Sequence, residues 1–156
     1  GSDLYRRGLY TFHCRSFTHP AMLAFDAPSR EECAAERPRS NIPQQALVLL
    51  NDPVFVEAAR VFAEKILHNN HSNDQEKIAY AFDHALTRKP NPEEIKIMQS
   101  LLQNQRERYK ADEKAAIELL KTGMKAYDDS IELSELAAWT SIARTVLNLY
   151  ETTARL

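Results

Sequence analysis

The stretch NDPVFVEAARVFAEKILH, Asn51 to His68, decides the fold class. Asp52 can cap a helix by accepting an orphan backbone N–H. Pro53 suits the first helical position, where its missing N–H costs nothing. Phe55, Ala58, Ala59, Phe62 and Ile66 then fall on one face at helical spacing. The pattern repeats toward the C-terminus. After a polar break at 68–74, Ile78, Ala81, Phe82, Ala85 and Leu86 mark a helix over 74–87. In Lys89-Pro90-Asn91-Pro92, Asn91 caps, Pro92 starts, and Glu94 completes a capping box. That helix is predicted to run to about Lys110, with Ile95, Met98, Leu101, Leu102 and Tyr109 inward. A shorter one spans 113–122, with Ile117 and Leu120 inward and Gly123 as its C-cap. Residues 124–133 read as the longest loop. Ser134 is expected to cap a last helix carrying Leu136, Trp139, Ile142, Ala143, Val146, Leu147 and Tyr150.

Toward the N-terminus the signals are shorter. Pro43 opens a helix over 44–50 whose run Ala46 to Leu50 predicts burial on most sides. Ser29 and Glu32 form a capping box for a short helix that Pro38 stops. Residues 16–28 read as an ordered irregular connection with Phe17, Met22, Leu23 and Phe25 inward. Residues 3–15 read as a helix, with Leu4, Tyr5, Leu9, Tyr10 and Phe12 inward and Arg6 and Arg7 outside. The expected fold is therefore all-α: a single irregular bundle of about six to seven helices with an ordered Pro-rich region near residues 16–52. Gly1-Ser2 read as a tag remnant. Residues 3–156 are then expected to be one helical domain, the C-terminal part of a larger multidomain protein.

Composition supports this class. Of 156 residues, 44% are hydrophobic and 27% charged, and only three are glycine. Few glycines disfavour the tight turns of an all-β fold and Gly-rich phosphate loops. The net charge of -2 disfavours nucleic-acid binding, which usually needs a positive excess. No apolar run approaches the ~20 residues of a membrane-spanning helix, so membrane insertion is not expected. Cys14 and Cys33 form neither a CxxC pair nor a haem-attachment motif. They could form one disulfide in an oxidising compartment or remain two thiols.

Three stretches stand together in order and spacing: Leu9 to Phe12, Phe25 to Glu31 with Cys33, and Asn41 to Ala59. Ala137-Ala138-Trp139 and Leu147-Asn148-Leu149 follow near the C-terminus. This pattern resembles a planctomycete-specific domain of unknown function. That domain forms the C-terminal part of large bacterial proteins, which often also carry a c-type cytochrome domain. The resemblance covers nearly the whole chain. It implies an exported, periplasmic or cell-envelope setting and upstream partner domains in the same polypeptide. It also implies that haem would belong to a separate domain, with no cofactor in this fragment. It implies no reaction. The chain departs from the pattern at His13-Cys14 and again over 150–156, so Cys14 receives no role from it.

The most unusual segment runs from Phe25 to Asp52. Asp26, Arg30, Arg39, Asn41 and Gln45 could line a binding pocket or docking surface there. The competing reading, favoured on physical grounds, is that Asp26, Arg30, Arg39 and Asn51 hold an irregular loop by hydrogen bonds to its backbone. His13, Cys14, His19, Asp26 and Cys33 could supply metal ligands, but their spacing follows no ligand rule, and no metal is assigned. His68 and His71 sit in a polar break and read as solvated. Neither cysteine has a nucleophile signature around it, and a buried inert Cys33 is expected. Glu31/Glu32 and Glu93/Glu94 lie in first helical turns, where the helix dipole favours negative charge. Arg6, Arg7, Arg37 and Arg39 could make a basic patch, though exposed charges are the default. No catalytic residue is assigned. The expected function is a non-catalytic helical interaction module of a larger cell-envelope, cytochrome-associated protein. The alternative is part of a ligand or active site around residues 26–52, completed by an upstream domain.

Overall fold

A computed structural model describes residues 5–14, 17–28, 33, 35–36, 38, 40–69 and 71–153. Among them are eight α-helices: α1 (Pro20–Ala24), α2 (Pro43–Asn51), α3 (Pro53–His68), α4 (Asp74–Leu86), α5 (Pro92–Ala111), α6 (Glu113–Leu120), α7 (Leu133–Leu147) and α8 (Tyr150–Thr153). No strand occurs among the described residues beyond an isolated bridge between Cys14 and Phe17. The all-α expectation holds, with eight helices against the six to seven expected; the short α1 and α8 are the additions, α8 because the chain breaks after Leu147 and resumes at Tyr150.

The caps form as their residue types dictate. The Asp52 carboxylate accepts from the Val54 amide at 2.9 Å. Asn91 accepts from the Glu94 amide at 2.8 Å while Glu94 accepts from the Asn91 amide at 2.7 Å. α7 is the central helix. Leu136, Ala137, Ala138, Trp139, Ile142, Ala143 and Val146 are all fully buried, and α3, α4, α5 and α6 surround them. A helix covered on most sides is apolar on most sides. Glu132 is its N-cap, in place of the expected Ser134, whose hydroxyl instead donates to the Glu132 carboxylate. Two arginine clamps join the helices. Arg106 on α5 binds Asp74 and Glu135 with four bonds of 2.6–3.0 Å. Arg88 binds Glu94 and Glu151.

α4 ends at Thr87 with φ 58, in the left-handed region. A β-branched residue is strained there, and glycine is not. Thr87→Gly is therefore expected to raise stability by about 0.5–1 kcal/mol. A higher urea midpoint at unchanged slope would register it.

The first fifty residues depart most from expectation. The described part of 3–15 holds no α-helix; it carries 3-10 conformation at Tyr5 and a 3-10 turn at Gly8–Tyr10. Gly8 weakens a helix interior by about 1 kcal/mol relative to alanine. A Cβ there would lie 3.1 Å from the terminal methyl of Met22. Tyr5, Leu9, Tyr10 and Phe12 are exposed rather than inward, as are Phe17 and Leu23, while Met22 and Phe25 are half-buried. Residues 16–28 contain the five-residue α1 inside the expected irregular connection. α2 is present, but only Gln45 is buried in it, and Leu47 is exposed. The capping box at Ser29–Glu32 lies outside the described residues. Ala35, Glu36 and Pro38 nearby are not helical.

Candidate functional site

α3 carries Glu57, Arg60, Glu64 and His68 at intervals of three and four. Successive members therefore lie within one narrow stripe along the helix. The stripe faces the loop between α6 and α7. Arg60 is fully buried, and Glu57 and Glu64 nearly so. Arg60 Nη1 donates to Glu64 at 2.6 Å and to the Ala126 carbonyl at 3.2 Å, and Nη2 donates to the Lys125 carbonyl at 2.6 Å. The Glu57 carboxylate accepts from the Met124 and Lys125 amides, both at 2.9 Å, and from the Tyr5 hydroxyl at 2.8 Å. Glu64 accepts from the Asp128 amide at 3.3 Å, with the Lys125 ammonium 3.7 Å away. His68 meets Asp128 at 2.7 Å. One stripe thus clasps a loop sixty residues distant and the N-terminal segment together.

The charges inside the clasp are compensated. Burial pushes the Glu57 carboxyl up. The Met124 amide, the Tyr5 hydroxyl, the Lys125 amide and the Arg60 charge outweigh it and leave Glu57 below the usual carboxylate range. The Tyr5 phenol is raised, chiefly by its hydrogen bond to Glu57. Asp128 is held down to about 2 by the Ser130 hydroxyl, the Ser130 amide and His68. Its folded-state value lies below its unfolded value of ~3.9, so its contribution is present above that pH and is lost as pH falls toward 2. An NMR titration should place its midpoint near 2, not near 4.

Gly123 closes the loop against α3 at φ 103, and a Cβ there would collide with the Glu57 carboxylate. The sequence-derived role of helix C-cap is thus replaced, since Lys121 caps α6. Gly123→Ala is expected to cost more than about 1 kcal/mol. It should also speed hydrogen exchange at the Met124 and Lys125 amides.

Beside the clasp lies an open apolar hollow of about 510 Å³. Val54, Ala58, Val61 and Phe62 of α3 line it, together with Tyr5, Lys65 and Lys125. Glu57 also borders it, holding Tyr5 on one side and the Lys125 backbone on the other.

The residues proposed from sequence divide into two sets. Asp26, at φ 55, accepts from the Ser40 amide at 2.8 Å and from its hydroxyl at 2.7 Å. These bonds hold its carboxyl below the usual range. Gln45 donates to the Ser40 carbonyl at 3.0 Å. Asp26 and Gln45 are thus brought together through Ser40 as a backbone joint, the arrangement expected of a loop-holding group. Asn41 and Gln45 also line a smaller hollow of about 230 Å³ against Asn148 and Tyr150. Asn148 Oδ1 is buried there without a hydrogen-bond partner. Asn51 donates back to the Leu47 carbonyl of its own helix. Arg30 and Arg39 lie outside the described residues. Cys14 is half-buried and Cys33 exposed, and both are free thiols. The expectation of a buried Cys33 is corrected: its side chain is exposed. Among the described residues no three His, Cys, Asp or Glu side chains gather as a metal site.

Sequence reasoning missed the clasp. Its only signal was the 57, 60, 64, 68 spacing, which matches a solvated helix face equally well.

A family model described as PSD1, protein of unknown function (DUF1553), matches residues 1–102. No curated protein and no solved structure matches the chain.

Proposed function

The chain belongs to the PSD1 family of proteins of unknown function (DUF1553), and from that premise we propose that it is a non-catalytic helical module that docks neighbouring domains of a larger cell-envelope protein. One observation carries the reading. Of eleven exposed large hydrophobic side chains among the described residues, eight precede α3: Tyr5, Leu9, Tyr10, Phe12, Phe17, Leu23, Ile42 and Leu47. Single exposed apolar residues are ordinary on a monomer, but a concentration of them marks an interaction face. The central helix α7 is buried by α3 to α6, and most of the exposed large apolar side chains fall in the segment before α3. The family resemblance supports an exported setting and an upstream neighbour in a cytochrome-associated polypeptide.

The test is a Phe12→Ser/Phe17→Ser double variant. In this chain alone the melting temperature should not fall, because both rings already face solvent. In the polypeptide that includes the neighbouring domains it should fall measurably. Substrate turnover by the isolated chain, or no effect in the longer polypeptide, would count against the reading.

The unpartnered Asn148 oxygen beside Asn41 and Gln45 favours a second reading, a polar ligand site completed by an upstream domain. Asn41→Ala should then abolish activity of the complete protein while leaving its melting temperature unchanged.

A further inference from the structure

We propose that the hollow on the outer side of α3 binds a free single-chain carboxylate, its hydrocarbon chain over Val61 and Phe62 and its head group between Lys65 and Lys125. The size fits, since about 510 Å³ lies within the ~300–1,000 Å³ typical of small-molecule sites. The lining fits as well: four of its eight residues are apolar side chains of α3, and its two lysines are exposed to solvent.

Charge selects the ligand's head group. Lys65 is exposed and has no acidic partner among the described residues, while Lys125 has only the longer 3.7 Å contact with Glu64. Both ammonium groups ride on apolar stems that can lie along a hydrocarbon chain. The one acid bordering the hollow, Glu57, already accepts three hydrogen bonds and faces Arg60 at 4.0 Å, so its charge is met from within the protein. A cationic head group would meet two lysines and no free carboxylate.

The walls are also set in advance. Tyr5 and the Lys125 backbone are both held by Glu57, and Arg60 fixes the same loop from beneath. A ligand entering this hollow has few protein groups left to order, which preserves affinity. The buried clasp, costly in itself, thereby gains a purpose as the frame of the hollow.

Isothermal titration calorimetry of this chain tests the proposal, using octanoate, decanoate and dodecanoate below their micellar concentrations. Affinity should rise about fourfold per added methylene. Dodecyltrimethylammonium, of the same chain length, should bind at least tenfold more weakly. Ala58→Trp, which fills the hollow from an exposed helical position, should abolish dodecanoate binding without lowering the melting temperature. Lys65→Glu should weaken it about tenfold. Should Ala58→Trp lower the melting temperature, Val61→Glu replaces it as the blocking variant. The proposal is overturned if dodecanoate shows no saturable binding. It is equally overturned if the cationic amphiphile binds as well, or if the protein associates only with phosphatidylglycerol vesicles and not with monomeric dodecanoate.

Discussion

Arg60→Ala should lower the unfolding free energy by about 3–5 kcal/mol, the range for removing one partner of a buried ion pair. The guanidinium is fully buried between two carboxylates and two loop carbonyls. Its removal leaves the nearly buried Glu64 without its 2.6 Å partner and the Lys125 and Ala126 carbonyls without their guanidinium donor. At ~2–4 °C per kcal/mol for a domain of this size, the melting temperature should fall by about 10 °C. A companion variant separates charge from packing. Arg60→Met with Glu57→Gln and Glu64→Gln removes all three charges together and should recover much of the loss, since uncharged replacement of a buried ion cluster is often near neutral. A single-variant cost under about 1 kcal/mol would mean that the stripe does not hold the loop.

Trp139→Ala should cost about 3–5 kcal/mol as well, by a different route. Trp139 is the chain's only tryptophan, and it is fully buried in the central helix. Its indole N–H donates to Glu135 at 2.9 Å, and Arg106 holds the same carboxylate. Deleting the ring opens a cavity where α7 meets its neighbours. Trp139→Phe keeps most of the volume and loses the hydrogen bond, so its cost should be nearer 1–2 kcal/mol. Unfolding must be followed by circular dichroism, because both variants lack the fluorophore. Equal costs for the two substitutions would show that the indole bond, not cavity volume, dominates.

The helices from α3 to α6 were legible because their instructions are local. Asp52-Pro53 and Asn91-Pro92 with Glu94 specify caps within four residues, and the apolar spacing between them is regular. α7 was legible as a helix but not as the hub, since Ala137 and Ala138 carry no sign of being on a buried face. The N-terminal segment misled for a physical reason. Tyr5, Leu9, Tyr10 and Phe12 have amphipathic spacing, but spacing makes a helix only where a core receives the face, and here none does. The clasp was illegible because Glu57, Arg60 and Glu64 find their loop partners over sixty residues away, on backbone groups that no side-chain pattern announces. The Asp26 joint was half legible. Its role as a loop holder followed from the irregular segment, while its partner Ser40 had no distinguishing mark.

On the reading proposed above, the exposed aromatic surface before α3 is a docking face. Hydroxyl-radical footprinting tests it most directly, comparing oxidation of Tyr5, Tyr10, Phe12 and Phe17 in this chain with oxidation in the polypeptide that carries its neighbouring domains. The prediction is strong labelling here and marked protection there, while exposed Ile97 and Met124 label alike in both. Equal labelling of the four aromatic residues in both forms would contradict the account.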